Sequence, residues 1–300
     1  MFQSGDANSR DPVTITVDTT GLLADHVAIV SGIGPGMGRS IALTLARAGA
    51  DVALGARNEA SLRAVADEVE ALGRRAVCVP TDITDIEQCR RLVETTVAEL
   101  GRLDVLVNNA YAEEDWHDPF DGFDPARWRA PIDVNVFGTL QLSQAAVPHL
   151  KAAGGGGESP RRGHPAPQRA RPNGGGSIVM ITTLSVKNPI PLLAGYAASK
   201  RALTTAAQVM ASELGASGIR VNCVAPGHIL GEPLQEYFEW SAEQRGITAE
   251  AVAEEIRAMN PLHHIASPDE IAQAVLFFAS DLSRVITGQT LDVNCGRTMD

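Results

Sequence analysis

Short apolar runs alternate with helix-length amphipathic stretches along almost all of this 300-residue chain. That alternation restricts the fold more than any other feature. His26-Val-Ala-Ile-Val-Ser31 is nearly all apolar, as a strand covered on both faces requires. Comparable runs recur at Asp51–Leu54, Ala76–Val79, Leu103–Val107, Ser177–Ile181, Arg220–Val224 and Thr290–Val293. Between them, Ile41, Leu45 and Ala48 give one helix its inner face. Leu62, Val65, Val69 and Leu72 do the same for the next helix, and Leu92, Val93, Val97 and Leu100 for the third, at helical spacings. A long helix is expected over Pro125–Leu150, another carries Tyr196 and Lys200 to about Leu214, and Pro268 starts a further one. Strands joined by crossover helices pair in parallel and leave helices on both faces. The expectation is an α/β fold, a doubly wound, mostly parallel seven-stranded sheet.

Hydrophobic residues make up 44% of the chain, enough for one large core or at most two modest ones. A polar tail over 1–20, expected to be flexible, precedes a single domain over 21–300. Lys151–Gly176 interrupts the pattern with two glycine clusters, several prolines, and Arg161, Arg162, Arg169 and Arg171. Such a segment buries too little to offset its ordering entropy, so a disordered insertion is expected. It lies between a helix end and a strand start, opposite the face where parallel sheets bind ligands. A passive insertion and a basic patch for an acidic partner both remain open.

A formal charge of −11 argues against nucleic acid or an anionic membrane as the main partner. No apolar stretch approaches the roughly 20 residues that span a bilayer, and the N-terminus lacks the apolar segment of a secretory signal. Cys78, Cys89, Cys223 and Cys295 show no CxxC spacing, and the histidines form no metal pattern. These features point to a cytoplasmic protein with reduced thiols and no metal site.

Three local patterns carry chemistry. Ser31-Gly-Ile-Gly-Pro-Gly-Met-Gly38 follows a strand and opens a helix, with Gly32, Gly36 and Gly38 spaced G-x-x-x-G-x-G. Residues without Cβ let backbone approach a pyrophosphate at a helix N-terminus. Asn108-Asn109-Ala110 ends the fourth strand. Tyr196 and Lys200, four residues apart, lie one turn apart on one helix face. An ammonium near a phenol favours the phenolate, which suits proton exchange with an alcohol or carbonyl.

In this order and at these separations, the three patterns resemble the short-chain dehydrogenase/reductase family, from about His26 to the C-terminus outside the insertion. The resemblance implies a Rossmann-like fold and a nicotinamide cofactor bound along Ser31, Gly32, Gly36, Met37 and Gly38. Asp82 and Ile83 would contact adenine, Asn109 and Ala110 would lie along the cofactor, and Pro226, Gly227 and Ile229 would pack on the nicotinamide. NAD-preferring proteins place a carboxylate at the end of the second strand. Here Ala56 stands there and Arg57 follows, so NADP(H) is favoured over NAD(H).

The resemblance makes Tyr196 the general acid or base, Lys200 its tuning cation and a ribose contact, and Asn135 the holder of a relay water. The family's serine thirteen residues before the tyrosine is Thr183 here, with Ser185 as fallback. A threonine hydroxyl has the same donor and acceptor capacity, but its methyl narrows the pocket. Tyr111 replaces the usual glycine after Ala110, and Gly231 stands where a threonine is usual.

His228–Ile265 would form a variable lid of two helices carrying Leu234, Tyr237, Phe238, Trp240, Ile256 and Met259. With Tyr111 and Trp116, these favour an apolar or ring-bearing carbonyl or alcohol substrate over a small charged one. The implied assembly is a homo-oligomer, tetramer or dimer. Alternatives are an NAD-dependent dehydrogenase, a catalytically silent NAD(P)-sensing protein, and an epimerase or dehydratase. A serine hydrolase is disfavoured, because no G-x-S-x-G turn is present.

Overall fold

A computed structural model describes residues 18–112, 121–122, 124–153, 175–191 and 193–299. Trp116, residues 1–17 and residues 154–174 of the expected insertion lie outside the described residues. The elements are β1 (Val27–Ser31), α1 (Met37–Arg47), β2 (Asp51–Ala56), α2 (Glu59–Ala71), β3 (Ala76–Pro80), α3 (Ile86–Leu100) and β4 (Val105–Asn108). They continue with α4 (Arg129–Ile132), α5 (Thr139–Ala152), β5 (Ser177–Ile181), α6 (Ala194–Leu214) and β6 (Arg220–Pro226). Last come α7 (Glu232–Arg245), α8 (Ala249–Ala258), α9 (Pro268–Ala279) and β7 (Thr290–Val293).

The seven strands lie in the order β3-β2-β1-β4-β5-β6-β7 and every described pairing is parallel. Successive residues of β1 feed opposite cores. Ala28 and Val30 join a cluster with Ile41 and Leu45 of α1, Leu62 of α2 and Ile271 and Val275 of α9. Val27 and Ile29 join one with Leu92 of α3, Leu142 of α5 and Leu203 of α6. Burial on both faces is why the strand reads as a continuous apolar run. The order reverses between β1 and β4, so the cleft between their carboxyl ends is the ligand position for this sheet class. Ser31 pairs with Asn108 across that seam.

Several local expectations are corrected. β4 starts two residues later than Leu103, although Leu103 is buried. Leu72 caps α2 and is exposed, because the helix has ended before its side chain reaches the core. The long helix over Pro125–Leu150 is not uniform. It enters through a 3₁₀ turn at Pro125–Trp128, and after α4 widens to a π-helical turn at Asp133–Gly138 before α5 resumes. π-helical turns are uncommon in regular helices and concentrate where function displaces regularity.

The insertion is also narrower than 151–176. Lys151 and Ala152 complete α5. Gly175 has φ +82°, and a Cβ there would stand 2.2 Å from the Gly218 carbonyl carbon. A Cβ on Gly176 would stand 2.5 Å from the Asp104 carbonyl oxygen. These two glycines are therefore packing residues at the base of β5.

Candidate active site

The glycine turn separates into two roles. Gly32 has φ +79°, and a Cβ there would meet the Ala110 nitrogen at 2.4 Å. A Cβ on Gly38 would meet the Gly32 carbonyl oxygen at 2.3 Å. Both glycines are demanded by the protein itself, where the loop after β4 crosses the turn. Asn109 Nδ2 fastens that crossing by donating to the Gly32 carbonyl at 2.7 Å. The Ser31 hydroxyl accepts from the Asn109 backbone at 3.3 Å and donates to the Val107 carbonyl at 3.4 Å.

Gly36 differs, because a Cβ there would meet nothing within 4 Å. It is the N-cap of α1, which has no side-chain cap and no acidic residue in its first turn. By contrast, Asn58, Asp85, Thr248 and Ser267 cap α2, α3, α8 and α9 with their side chains. An open cradle at uncapped helix N–H groups fits a pyrophosphate and holds no group that would repel one. The turn therefore fits the cofactor expected there.

Arg57, after Ala56, is exposed, and no described carboxylate pairs with it. Arg39, the other guanidinium near the turn, is bound bidentately by Glu68 of α2. Asp82 Oδ1 accepts from the Thr84 backbone at 2.9 Å and hydroxyl at 2.7 Å, which fixes the loop after β3. Ile83 is buried against Gly138, where a Cβ would meet its Cγ1 at 2.8 Å. The loop after β3 is thus wedged against the π-helical segment.

At the carboxyl end of β5, Lys200 is 2% exposed, and its Nζ donates to the Ile181 carbonyl at 2.8 Å. The same nitrogen stands 5.9 Å from the centroid of the Tyr196 ring. Burial pushes the Lys200 ammonium down to about 8, partly opposed by Cys223 beside it. The Cys223 thiol is itself pushed up to about 12, chiefly by burial. Thr183 stands two residues past the end of β5. Its hydroxyl accepts from the Ser185 backbone at 3.3 Å and donates to the Ser185 hydroxyl at 3.4 Å, so the two candidates for the serine position are bonded to each other.

Asn135 sits in the π-helical turn, fully buried. Its Oδ1 accepts from the Ala112 backbone at 2.8 Å, and its Nδ2 donates to the Ala112 carbonyl at 2.8 Å and the Ser199 hydroxyl at 2.9 Å. The side chain thus ties the β4 loop to the Tyr196 helix and makes no described bond to Lys200. The Ser199 hydroxyl in turn donates to the Tyr196 carbonyl at 2.7 Å. Its position next to Lys200 was the available signal for this structural role.

Tyr111 is half exposed, and its ring meets the Tyr196 ring edge-on at 6.3 Å between centroids. It therefore borders the phenol. Gly227 packs so closely on Asn294 that a Cβ would lie 2.8 Å from the asparagine Cβ. Ile229 bridges to Ala266, and the Leu230 backbone donates to the Ala266 carbonyl at 2.8 Å, closing the base of the lid. Gly231, where a threonine was expected, takes an extended backbone ahead of α7. The glycine turn follows the carboxyl end of β1, the Asn109–Ala110 stretch that crosses it follows β4, and Thr183 and the Lys200 contact lie at the carboxyl end of β5.

Comparison with known proteins decides the family. The model described as short chain dehydrogenase matches residues 26–158, and one described as enoyl-(acyl carrier protein) reductase matches 164–298. The 7alpha-hydroxysteroid dehydrogenase of Escherichia coli (strain K12) is 33% identical over 269 residues, spanning 90% of this chain and 92% of that protein. The chain belongs to the short-chain dehydrogenase/reductase family.

Cis-4-hydroxycyclohexanecarboxylate dehydrogenase of Sinomonas cyclohexanicum is 32% identical to this enzyme over 275 residues, 92% of this chain and 97% of that one. Carveol dehydrogenase from Mycobacterium avium in complex with NAD superposes with a TM-score of 0.81 at 30% identity, covering 93% of this chain and 99% of the other. The family binds a nicotinamide dinucleotide, and the enzyme is an oxidoreductase of hydroxyl and carbonyl groups. Among the described residues, no helix is long and apolar enough to cross a membrane, and no group of three or more His, Cys, Asp or Glu could hold a metal ion.

Proposed function

We propose that this enzyme is an NADPH-dependent reductase of a ring-bearing or otherwise apolar ketone, able to run in reverse on the secondary alcohol. The observation that carries the reading is the Tyr196 phenol beside the buried Lys200 ammonium, at the carboxyl end of β5. When bound, the nicotinamide would supply the hydride. Tyr196 donates the proton to the developing alkoxide, and Lys200 stabilises the phenolate left behind. Thr183 offers a hydroxyl donor to the same oxygen. Asn135 positions the helix and loop around them.

Preference for NADPH rests on Ala56 leaving no carboxylate at the ribose position and on Arg57, exposed and without a described partner. The NAD complex of the mycobacterial relative favours the competing reading, an NAD-dependent dehydrogenase. Ring-bearing substrates are supported by relatives named for cyclic alcohols and by the Tyr111 ring beside the phenol. Homo-oligomer formation is part of the same reading, since Phe137 and Val209 leave apolar surface exposed near α5 and on α6.

Initial rates with cyclic ketones and either reduced dinucleotide test this. NADPH should give a kcat/KM at least about tenfold above NADH, the worth of one charge-assisted contact, and Arg57→Ala should bring the ratio toward one. Tyr196→Phe should lower kcat by about 10²- to 10⁴-fold. A preference for NADH would sink the cofactor assignment, and a fully active Tyr196→Phe enzyme would sink the mechanism.

A further inference from the structure

An open pocket of about 480 Å³ is lined by Lys187, Asn188, Met259, Arg297, Thr298 and Met299. It is made by three separate stretches of chain. Lys187 and Asn188 follow Thr183 on the loop after β5. Met259 ends α8 of the lid. The tail after β7 is held against the lid end, where the Leu262 backbone donates to the Cys295 carbonyl at 3.2 Å and a Cβ on Gly296 would lie 3.1 Å from Pro261.

The two cations of this pocket are not equivalent. Lys187 Nζ bonds Asp292 at 2.8 Å, so its charge is answered within the protein. The Arg297 guanidinium is half-buried, and among the described residues no carboxylate lies within ion-pair distance of it. Its charge reaches the stretch that follows β6: burial first, and then Arg297, hold the His228 imidazole below its usual range. His228 directly follows the Pro226-Gly227 end of β6, and its Nδ1 is buried without a hydrogen-bond partner. A half-buried guanidinium with no carboxylate to answer it is a standing preference for one negative charge.

We propose that Arg297, with Asn188 beside it, forms a subsite for a carboxylate at the end of the substrate remote from the reacting carbon. The ligand class is then an oxo or hydroxy acid, with an apolar ring or chain between the two oxygen functions. Met259 and Met299 supply adaptable apolar walls for that middle section. A single unanswered charge suits a monoanion, and the planar guanidinium matches a carboxylate in two parallel hydrogen bonds. This refines the expectation of a wholly apolar substrate, and it rests on the reading of the enzyme as a carbonyl/alcohol oxidoreductase.

Binding in a dead-end complex tests the subsite without turnover. The enzyme saturated with oxidised dinucleotide is titrated calorimetrically with cyclic oxo acids of three lengths, the shortest 4-oxocyclohexanecarboxylate, and with the methyl ester of each. At least one acid should bind about tenfold or more tightly than its ester. Arg297→Gln should bring that acid-to-ester ratio to about one, and Arg297→Lys should restore part of it. Melting temperature shows whether each variant is folded, and Asn188→Ala, which should lower the ratio by a smaller factor, gives an independent arm. Equal binding of acid and ester in every pair overturns the subsite, as does a ratio unchanged in folded Arg297→Gln. Acid preference without reduction of any ketone would overturn the proposed activity and leave the subsite standing. Reduction without acid preference would do the reverse.

Discussion

The two ends of the cleft are built differently. At the glycine-turn end, proposed for the dinucleotide, Gly32 and Gly38 have no room for a Cβ, Asn109 clamps the turn, and Ile83 is wedged against Gly138. At the end proposed for the substrate, Phe238, Val252 and Ile256 give α7 and α8 a small core of their own, with Leu234 packed against it, while Tyr237, Trp240 and Met259 remain exposed. The first end is over-determined by contacts at the ends of β1 and β4, and the second is tied back by the Ile229–Ala266 bridge and by the Leu262 contact to the C-terminal tail. The difference teaches where specificity can reside. The glycine turn is locked by backbone collisions, and Tyr237, Trp240 and Met259 sit on surfaces that can change without unfolding the chain.

The largest effect that would sharpen this contrast concerns Lys200, the charge buried at the rigid end. Its folded-state value of about 8 lies below the ordinary 10.5, so below pH 8 the folded protein carries the full cost of a buried charge. Between those values only the unfolded chain holds the proton, and stability rises with pH. Relative to Lys200→Met, the wild-type apo-protein should gain on the order of 3 kcal/mol between pH 7.5 and 10.5. Denaturant unfolding of both proteins across that range measures it, and the opposing titration of Cys223 largely cancels in the difference. A flat difference would mean that water reaches the ammonium.

A smaller effect divides the glycine turn itself. Gly38→Ala should cost about 1–3 kcal/mol through overpacking. Gly36→Ala should leave the melting temperature nearly unchanged and weaken dinucleotide binding about tenfold or more, since its methyl would occupy the cradle. Thermal melts with and without dinucleotide separate the two, and equal destabilisation by both would erase the division of roles.

The smallest stability effect is expected at the substrate end. Trp240→Ala should change stability by no more than about 0.5 kcal/mol, as exposed positions do. Tyr111→Ala should shift KM for ring-bearing ketones several-fold, with a smaller change for short aliphatic ones, as loss of a contact beside the phenol would. A large loss of stability in Trp240→Ala would mean that the exposed rings hold the lid together.

What the sequence made legible follows the same division. β1, β5 and the helix faces of α1 and α3 were readable because residues buried on both sides, or on one helical stripe, have no alternative pattern. The glycine turn and the Tyr196–Lys200 pair were readable because backbone proximity and one-turn spacing are local. The π-helical turn around Asn135 was not, since an extra residue in a helix turn leaves no mark in composition. Nor was the packing role of Gly175 and Gly176, whose neighbours Gly218 and Asp104 are far away in sequence. Arg297 belongs to no motif. Only the fold brings it beside His228 and leaves its charge unanswered.

The widened turn at Asp133–Gly138 acts as a phase shift in the helix that crosses the cleft. An additional residue rotates everything beyond it by about 100°. The stretch before the turn and the stretch after it therefore answer to different clocks, one timed to the β4 loop and the other to the sheet beneath α5. Asn135 stands at the change of phase. Closing the turn by removing one residue would give a more regular helix, and it would point the asparagine away from Ala112 and Ser199. Irregularity at this point is what lets one helix keep two appointments.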